Sequence, residues 1–178
     1  MSKPRIIQNL ALVGFMGTGK SSVGRALAEC LRFDFVDTDD LIESRAGKSI
    51  ADIFAQNGEP VFRDLEKMVV AELSTHTRLV ISTGGGLAAN AENLAHLKTH
   101  ALVVCLWASP ETIWERVRMQ GHRPLLKTPD PLAKIRELLA LREPFYKQSD
   151  VLVNTERRSV KEVVQHVLHQ FHSAHAHR

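Results

Sequence analysis

Short apolar runs alternate with helix-like stretches along most of the chain. The runs are rich in residues that favour β-strands and lie at residues 10–13, 33–36, 79–81, 101–106 and 151–153. Strands that alternate with helices in this way form a parallel sheet covered by helices on both faces. The pattern therefore predicts an α/β fold, a three-layer sandwich around a five-stranded parallel sheet.

Several helical stretches begin with a side-chain acceptor that can cap the first free N–H groups. These starts are Ser49 with Asp52, Ser109 before Pro110, and Ser159 with Glu162. No linker, repeat or low-complexity segment interrupts the 178 residues, a length typical of one domain. We expect one domain over residues 1–178, with its core at about 9–170 and a disordered tail at about 171–178.

Composition narrows the class of protein. Hydrophobic residues make up 44% of the chain, and 23 Lys and Arg stand against 20 Asp and Glu, so neither disorder nor a nucleic-acid surface is indicated. Cys30 and Cys105 lie in apolar surroundings and are interpreted as reduced core thiols. Without a signal-like or membrane-length apolar run, we expect a soluble, cytoplasmic protein that does not bind membranes. No strongly apolar exposed face or heptad run demands a partner, so we expect a monomer.

Residues 14–21 carry the most specific motif. They read G-x-x-x-x-G-K-S, directly after the first predicted strand and before a helical stretch. In that context the motif predicts a phosphate-binding loop rather than a chance glycine-rich turn. Its backbone N–H groups converge on phosphate oxygens, Lys20 supplies positive charge, and Ser21 offers a hydroxyl ligand for Mg²⁺. The chain is therefore predicted to bind ATP or GTP.

Acidic residues follow the second predicted strand, at the same expected edge of the sheet. Alone, Asp37, Asp39 and Asp40 would be an ordinary acidic start of a helix. Beside a phosphate loop, one carboxylate could hold Mg²⁺ through water, and another could accept a hydrogen bond from an attacking hydroxyl. Both interpretations stay open from the residues alone.

Three further features have both a structural and a functional interpretation. Glycines 84–86, after the third strand, form either a tight turn or a floor for a ligand. Arg63 and Arg142 would by default be surface residues in salt bridges. Residues 119–130 either only connect two helices or form a mobile lid that brings Arg123 over the phosphates. The histidines at the C-terminus indicate no metal site, because no other ligand types accompany them.

Together these motifs stand in the order found in shikimate kinases, which the chain resembles from about Asn9 to about His169. The resemblance implies the fold of the nucleoside monophosphate kinases with a mobile lid. It also implies transfer of a phosphoryl group from MgATP to the 3-hydroxyl of shikimate, in the pathway to chorismate and aromatic amino acids. ATP and shikimate would be the small-molecule partners, with one Mg²⁺ per site.

The resemblance also assigns roles to residues of this sequence. It implies catalytic roles for Lys20, Asp39 and Arg123, and metal binding by Ser21 directly and by Asp37 through water. Shikimate would be held by Asp39, Arg63, Glu66, Gly84, Gly85, Gly86 and Arg142. The nucleotide would be held by Gly17, Thr18, Gly19, Lys20, Ser21, Ser22, Arg123 and Arg158. For the adenine, Arg116 or Arg118 and Arg157 or Arg158 remain alternatives.

Two other functions remain open. A related kinase could use gluconate or a nucleotide as acceptor, because the phosphate loop does not identify the second substrate. A nucleotide-binding regulatory module without transfer activity is the other possibility. The presence of Lys20, Asp37, Asp39 and Arg123 argues against the regulatory module.

Overall fold

The computed structural model describes residues 5–120 and 126–176. Its sheet contains five strands: β1 (Asn9–Val13), β2 (Asp34–Asp37), β3 (Leu79–Ser82), β4 (Ala101–Trp107) and β5 (Val151–Asn154). The strands are all parallel, in the order β2-β3-β1-β4-β5. The predicted five-stranded parallel sheet is confirmed, with each strand within one residue of its predicted bounds.

Seven α-helices surround this sheet in the described part of the chain. They are α1 (Lys20–Leu31), α2 (Thr38–Ala46), α3 (Ile50–Leu73), α4 (Ala91–His100), α5 (Pro110–Val117), α6 (Pro131–Tyr146) and α7 (Val160–Ala176). The serines predicted to cap helices do so. Ser49 Oγ accepts the Asp52 N–H at 3.1 Å at the start of α3, and Ser159 Oγ accepts the Glu162 N–H at 3.3 Å at the start of α7. Local sequence therefore sets where these helices begin.

Two hydrophobic cores follow from the period of two along the strands. Leu10 and Leu12 of β1 face one side, where they pack with α1 and α7. Ala11 and Val13 face the other side, where they pack with residues of α2 to α6. The central strands β1, β3 and β4 are thus buried on both faces, which is why their sequences are nearly continuous apolar runs.

Helix α3 is interrupted at Gly58, where φ is 83° and ψ is 169°. A positive φ favours glycine, and Pro60 then fits the first turn of the second half because it has no N–H to leave unpaired. The break gives the second half of α3 its own direction. That half carries Arg63 and Glu66, two of the predicted site residues.

The C-terminal tail corrects one expectation. Residues 171–176, predicted to be disordered, continue α7 to Ala176. Phe171 is buried and its ring stacks edge-on against Phe33, with 5.9 Å between the ring centroids. The apolar spacing that places Val163 and Val167 in the core reaches Phe171 as well, so packing extends the helix.

The two cysteines have different environments. Cys105 lies buried in β4, and burial raises the pKa of its thiol to about 12. Cys30 was also expected in the core, but it is exposed near the end of α1. It lies off the helix face that buries Val23 and Leu27, so the neighbouring apolar residues misled the prediction.

Part of the predicted lid, which spans about 119–130, falls on residues whose structure is not described. Residues 121–125, which include Arg123, lie outside the described ranges, so the lid and the role of Arg123 stay predictions. None of the helices within those ranges combines the length and apolar character that crossing a membrane requires.

Candidate functional site

Three loops carry the predicted site residues, and they meet at one edge of the sheet. Strands β2, β3 and β1 are neighbours, and their register places Asp37 and Leu12 on either side of Ser82. The segments that follow these positions therefore lie side by side: residues 14–21, 37–40 and 83–86. In open parallel sheets this edge is where ligands bind.

The phosphate loop curves around the ammonium group of Lys20. Lys20 Nζ donates to the carbonyl oxygens of Gly14 and Phe15, each at 2.8 Å, and the side chain is buried. Thr18 Oγ1 donates to the same Phe15 oxygen at 2.8 Å. Backbone carbonyl groups thus hold the ammonium group of Lys20 inside the loop.

Glycines are required in this loop by backbone geometry. Gly14, Gly17 and Gly19 all have positive φ, at 136°, 75° and 95°. A Cβ atom at Gly14 would also lie 2.3 Å from the Leu106 carbonyl oxygen, far inside van der Waals contact. Only glycine fits these positions, and α1 begins directly after the loop, so its first N–H groups point toward the phosphate site.

Oxygen ligands suited to Mg²⁺ lie at the start of α1 and the end of β2. Ser21 Oγ donates to Asp37 Oδ2 at 3.2 Å, while Asp37 Oδ1 accepts the Asp39 N–H at 3.0 Å as the cap of α2. Ser22 follows on the exposed first turn of α1. A hydroxyl and a carboxylate at this separation fit a hard cation that keeps several waters.

Asp39 is the most perturbed carboxylate in the site. Burial, with the neighbouring charges of Asp37 and Glu66, raises the pKa of Asp39 to about 6. Its Oδ1 atom is buried and accepts no hydrogen bond within the described part of the chain. Asp39 also lies against Gly84, where a Cβ would come within 2.4 Å of Oδ1. A buried acceptor without a partner is a suitable acceptor for a substrate hydroxyl.

The raised pKa of Asp39 predicts a pH dependence. If ionised Asp39 is needed, kcat/KM for the acceptor substrate should fall about tenfold for each pH unit below about 6. Steady-state rates between pH 5 and 8 at saturating MgATP would measure this. The residual activity of Asp39→Asn should lack this acidic limb, and an unchanged limb in that variant would assign the titration to another group.

Arg63 has a carboxylate on each side of its guanidinium group. Nη1 donates to Glu66 Oε2 at 2.7 Å, and Glu66 is only 1% exposed. Burial raises the pKa of Glu66, and the hydrogen bond and charge of Arg63 counter that shift. Nε and Nη2 both donate to Glu59 Oε1, at 3.1 and 2.8 Å. Glu66 thus fixes the guanidinium, while the exposed Glu59 occupies its outer edge.

Arg142 reaches the same place from α6. Its Nη1 donates to the Gly85 carbonyl oxygen at 3.0 Å, and its guanidinium lies 5.2 Å from the centroid of the Phe15 ring. A Cβ at Gly86 would lie 3.1 Å from Arg63 Nη1 and 3.7 Å from Arg142 Nη2. The two arginines therefore converge over Gly86, close to Asp39 beside Gly84.

The glycine segment forms the tight turn of the structural interpretation, and its role as a floor for a ligand stays a prediction. Gly84 N–H donates to Thr38 Oγ1 at 3.0 Å, which anchors a tight turn after β3. Gly85 and Gly86 leave room for the guanidinium groups of Arg63 and Arg142, which form a cationic floor. A side chain at either end of the turn would meet Asp39 or Arg63.

A third arginine lies on the other side of the phosphate loop. Arg116 Nη1 donates to the Gly17 carbonyl at 3.2 Å and to Thr155 Oγ1 at 3.0 Å, and Nη2 donates to the Thr155 carbonyl at 2.9 Å. Arg118 is exposed at the end of α5. Arg158 is exposed in the turn after β5. Hydrogen bonds from Ser159, with a smaller effect of the Arg158 charge, lower the pKa of Glu162. Only Arg116 of these three contacts the phosphate loop in the described structure.

Sequence reasoning gave no role to three residues of this site. Thr38 and Tyr146 hold the glycine turn, and Glu59 pairs with Arg63. Tyr146 and Glu59 had a usable signal, because Tyr146 lies four residues after Arg142 and Glu59 lies four residues before Arg63, so each pair falls on one face of a helix. The role of Thr38 depends on its contact with Gly84, which comes from a distant segment.

Known proteins match this chain over most of its length. A family model described as shikimate kinase matches residues 16–172. A protein named shikimate kinase from Symbiobacterium thermophilum is 48% identical over 163 residues, which cover 90% of this chain and 94% of that protein.

Solved structures agree with that similarity. A shikimate kinase from Acinetobacter baumannii in complex with shikimate is 38% identical, with a TM-score of 0.88 and coverage of 94% of both chains. A gluconokinase from Sinorhizobium meliloti is 20% identical with a TM-score of 0.57, and covers 90% of both chains. The likeness to the gluconokinase concerns the fold alone.

Proposed function

This chain belongs to the shikimate kinase family of ATP-dependent phosphotransferases, and we propose that it transfers the γ-phosphoryl group of MgATP to the 3-hydroxyl of shikimate. The products would be shikimate 3-phosphate and ADP, in the pathway to chorismate. One observation carries the proposal. Arg63 and Arg142 converge over Gly86 next to the carboxylate of Asp39, whose buried oxygen has no hydrogen-bond partner among residues 5–120 and 126–176.

The paired arginines account for an acidic acceptor. A guanidinium presents two N–H groups in the plane of a carboxylate, so two such groups select a carboxylic acid over a neutral sugar. Glu66 holds Arg63 from the buried side, which leaves the Glu59 side for the substrate. Shikimate would then displace Glu59 from Arg63, exchanging one carboxylate for another.

Asp39 is the proposed partner of the attacking hydroxyl. Ionised Asp39 would accept the hydrogen bond of the 3-hydroxyl and orient its oxygen toward the γ-phosphorus. As the new P–O bond forms and the bond to ADP breaks, the hydroxyl proton passes to Asp39 or to solvent. Because the transition state is loose, alignment of the hydroxyl is expected to contribute more than proton removal.

The phosphate loop and its neighbours would stabilise the charge of the transferred group. Lys20 already lies within the loop and can contact the phosphates, and Arg123, outside the described residues, is proposed to act from the lid. Ser21 and Asp37 would hold Mg²⁺, which supplies charge neutralisation between the β- and γ-phosphates when bound.

Of Arg116 and Arg118, we propose Arg116 as the arginine that contacts the adenine of ATP. It joins the phosphate loop at Gly17 to the turn at Thr155, so it lies between the two segments that the resemblance assigns to the nucleotide. Replacing Arg116 with alanine should raise KM for MgATP about tenfold and leave KM for shikimate unchanged. Arg118→Ala on the same helix is the matched control. Equal effects of the two variants on KM for MgATP would contradict the assignment.

The proposed reaction is tested by acceptor profiling. ADP release with MgATP would be compared for shikimate, gluconate, nucleoside monophosphates and no acceptor, with product identity checked by ³¹P NMR. Turnover with shikimate alone is the expected result. Turnover with gluconate instead would show that gluconate is the acceptor. ATP binding without turnover of any acceptor would favour the regulatory module. The monomeric state and a cytoplasmic location stay predictions that this assay does not address.

A further inference from the structure

We propose that Tyr146 is a positioning residue for the acidic substrate, because its phenol fixes the Gly85 carbonyl that in turn holds the guanidinium of Arg142. The inference deepens the proposed function and rests on it, since it concerns how the site holds the carboxylate of shikimate. Tyr146 itself would not touch the reacting atoms.

The geometry places two donors on one acceptor. Tyr146 Oη donates to the Gly85 carbonyl oxygen at 2.7 Å, and Arg142 Nη1 donates to the same oxygen at 3.0 Å. A carbonyl oxygen has two lone pairs and can accept both hydrogen bonds. With Nη1 of Arg142 held there, Nη2 is directed toward Gly86, where Arg63 also lies. The Gly85 carbonyl, together with the Phe15 ring, thus sets the direction of the Arg142 guanidinium.

Tyr146 is well suited to hold its hydroxyl, the hydrogen-bond donor to Gly85, in a fixed position. It is 2% exposed, at the end of α6, and packs in the core that covers one face of the sheet. Burial raises the pKa of its phenol to about 12, so the hydroxyl keeps its proton across the working pH range. A rigid aromatic ring with two side-chain torsions fixes its hydroxyl more firmly than a long flexible side chain could.

The opposite end of the turn is held by a separate contact. Gly84 N–H donates to Thr38 Oγ1, and Thr38 is fully buried between Asp37 and Asp39 at the start of α2. The turn is therefore anchored to α2 on one side and to α6 on the other. This arrangement sets the distance between Asp39, which would meet the hydroxyl, and Arg142, which would meet the carboxylate. Loss of the Tyr146 hydroxyl should loosen only the α6 side.

The first test is Tyr146→Phe, which removes one hydroxyl and keeps the ring. We expect KM for shikimate to rise about tenfold, because one buried hydrogen bond that fixes Arg142 is lost. KM for MgATP should stay at its wild-type value, since the Tyr146 hydroxyl donates to Gly85 rather than to the phosphate loop. A purely structural role would instead lower the melting temperature and leave both KM values unchanged, which would overturn the inference.

The second test needs no variant. Tyr146 is the only tyrosine in the sequence, so protein labelled with ¹³C at the tyrosine ζ carbon gives one tyrosine signal. Shikimate should shift that signal. Its carboxylate would accept hydrogen bonds from Arg142, which would change the hydrogen bonds that Arg142 and Tyr146 donate to the Gly85 carbonyl. ADP alone should leave it in place. A tyrosine chemical shift that stays unchanged at saturating shikimate would overturn the inference, even if Tyr146→Phe failed to fold.

A matched control removes a different hydroxyl near the same helix end. Ser149 Oγ is buried and has no hydrogen-bond partner in the described residues, so Ser149→Ala should keep wild-type KM values for both substrates. An equal rise in KM for shikimate in Ser149→Ala and Tyr146→Phe would count against Tyr146. Wild-type protein that binds shikimate without turning it over would refute the proposed function, while the tyrosine signal would still decide the role of Tyr146.

Discussion

Replacing Asp39 with asparagine should lower the turnover of shikimate by about two to four orders of magnitude. The amide keeps the size of the side chain but loses the negative charge that would accept and align the substrate hydroxyl. Burial, with the neighbouring charges of Asp37 and Glu66, raises the pKa of Asp39 to about 6. Initial rates of ADP release at saturating MgATP and shikimate measure the effect.

Asp40→Asn provides the control for this prediction. Asp40 is adjacent in sequence but exposed, so its replacement changes the charge near the site without removing a group from it. Binding of ADP, measured by calorimetry, should be the same in both variants and in wild type. Equal turnover of Asp39→Asn and Asp40→Asn would exclude Asp39 from the reaction.

Stability should change in the opposite direction from activity in Asp39→Asn. The folded-state pKa of Asp39 is raised from 3.8 to about 6, so ionisation costs folding free energy progressively as pH rises through that window. Asparagine removes this cost. Above pH 6 the variant should therefore resist urea at least as well as wild type, which excludes misfolding as the reason for lost turnover.

Replacing Arg63 with alanine should lower kcat/KM for shikimate by about two orders of magnitude. The charge-assisted hydrogen bonds to the substrate carboxylate would be lost, and Glu66 would remain buried without its partner. The second effect should also lower the free energy of unfolding by about 2 kcal/mol. Arg136→Ala on α6 is the control, because Arg136 pairs only at the surface with Glu111 in the described structure.

Arg63→Lys separates the two effects of Arg63. Lysine keeps a positive charge for Glu66 and should recover most of the lost stability, but it cannot form the planar fork and should not recover kcat/KM. Shikimate methyl ester adds a probe of the carboxylate itself. Wild type should strongly prefer the acid over the ester, and Arg63→Ala should show a smaller preference. An unchanged preference would show that Arg63 does not meet the carboxylate.

Local sequence predicted much of this site because its main elements are short-range motifs. The phosphate loop, residues 14–21, encodes its own turn through glycines at positions of positive φ. The segments after β2 and β3 were placed correctly at one edge, because parallel topology brings strand ends together. The role of Arg63 was harder to judge, since a charged residue on a helix is by default solvated.

Misjudged features all depend on packing that the residues alone do not reveal. Cys30 lies off the core face of α1, although its neighbours are apolar. The tail from 171 is helical because Phe171 packs against Phe33 from a distant part of the chain. The choice between Arg116 and Arg118 required the orientation of α5, which places Arg116 alone toward Gly17.

The sequence by itself determined the α/β class, the strands, the phosphate loop and the acidic residues beside it, because these depend on periodicity and on backbone needs within a few residues. The tertiary structure alone decided which side chains act together. Arg63 and Arg142 lie 79 positions apart, yet both meet Gly86, and Tyr146 reaches Gly85 from α6. Contacts of this kind arise when helices from separate chain segments pack on the sheet, so no local pattern encodes them.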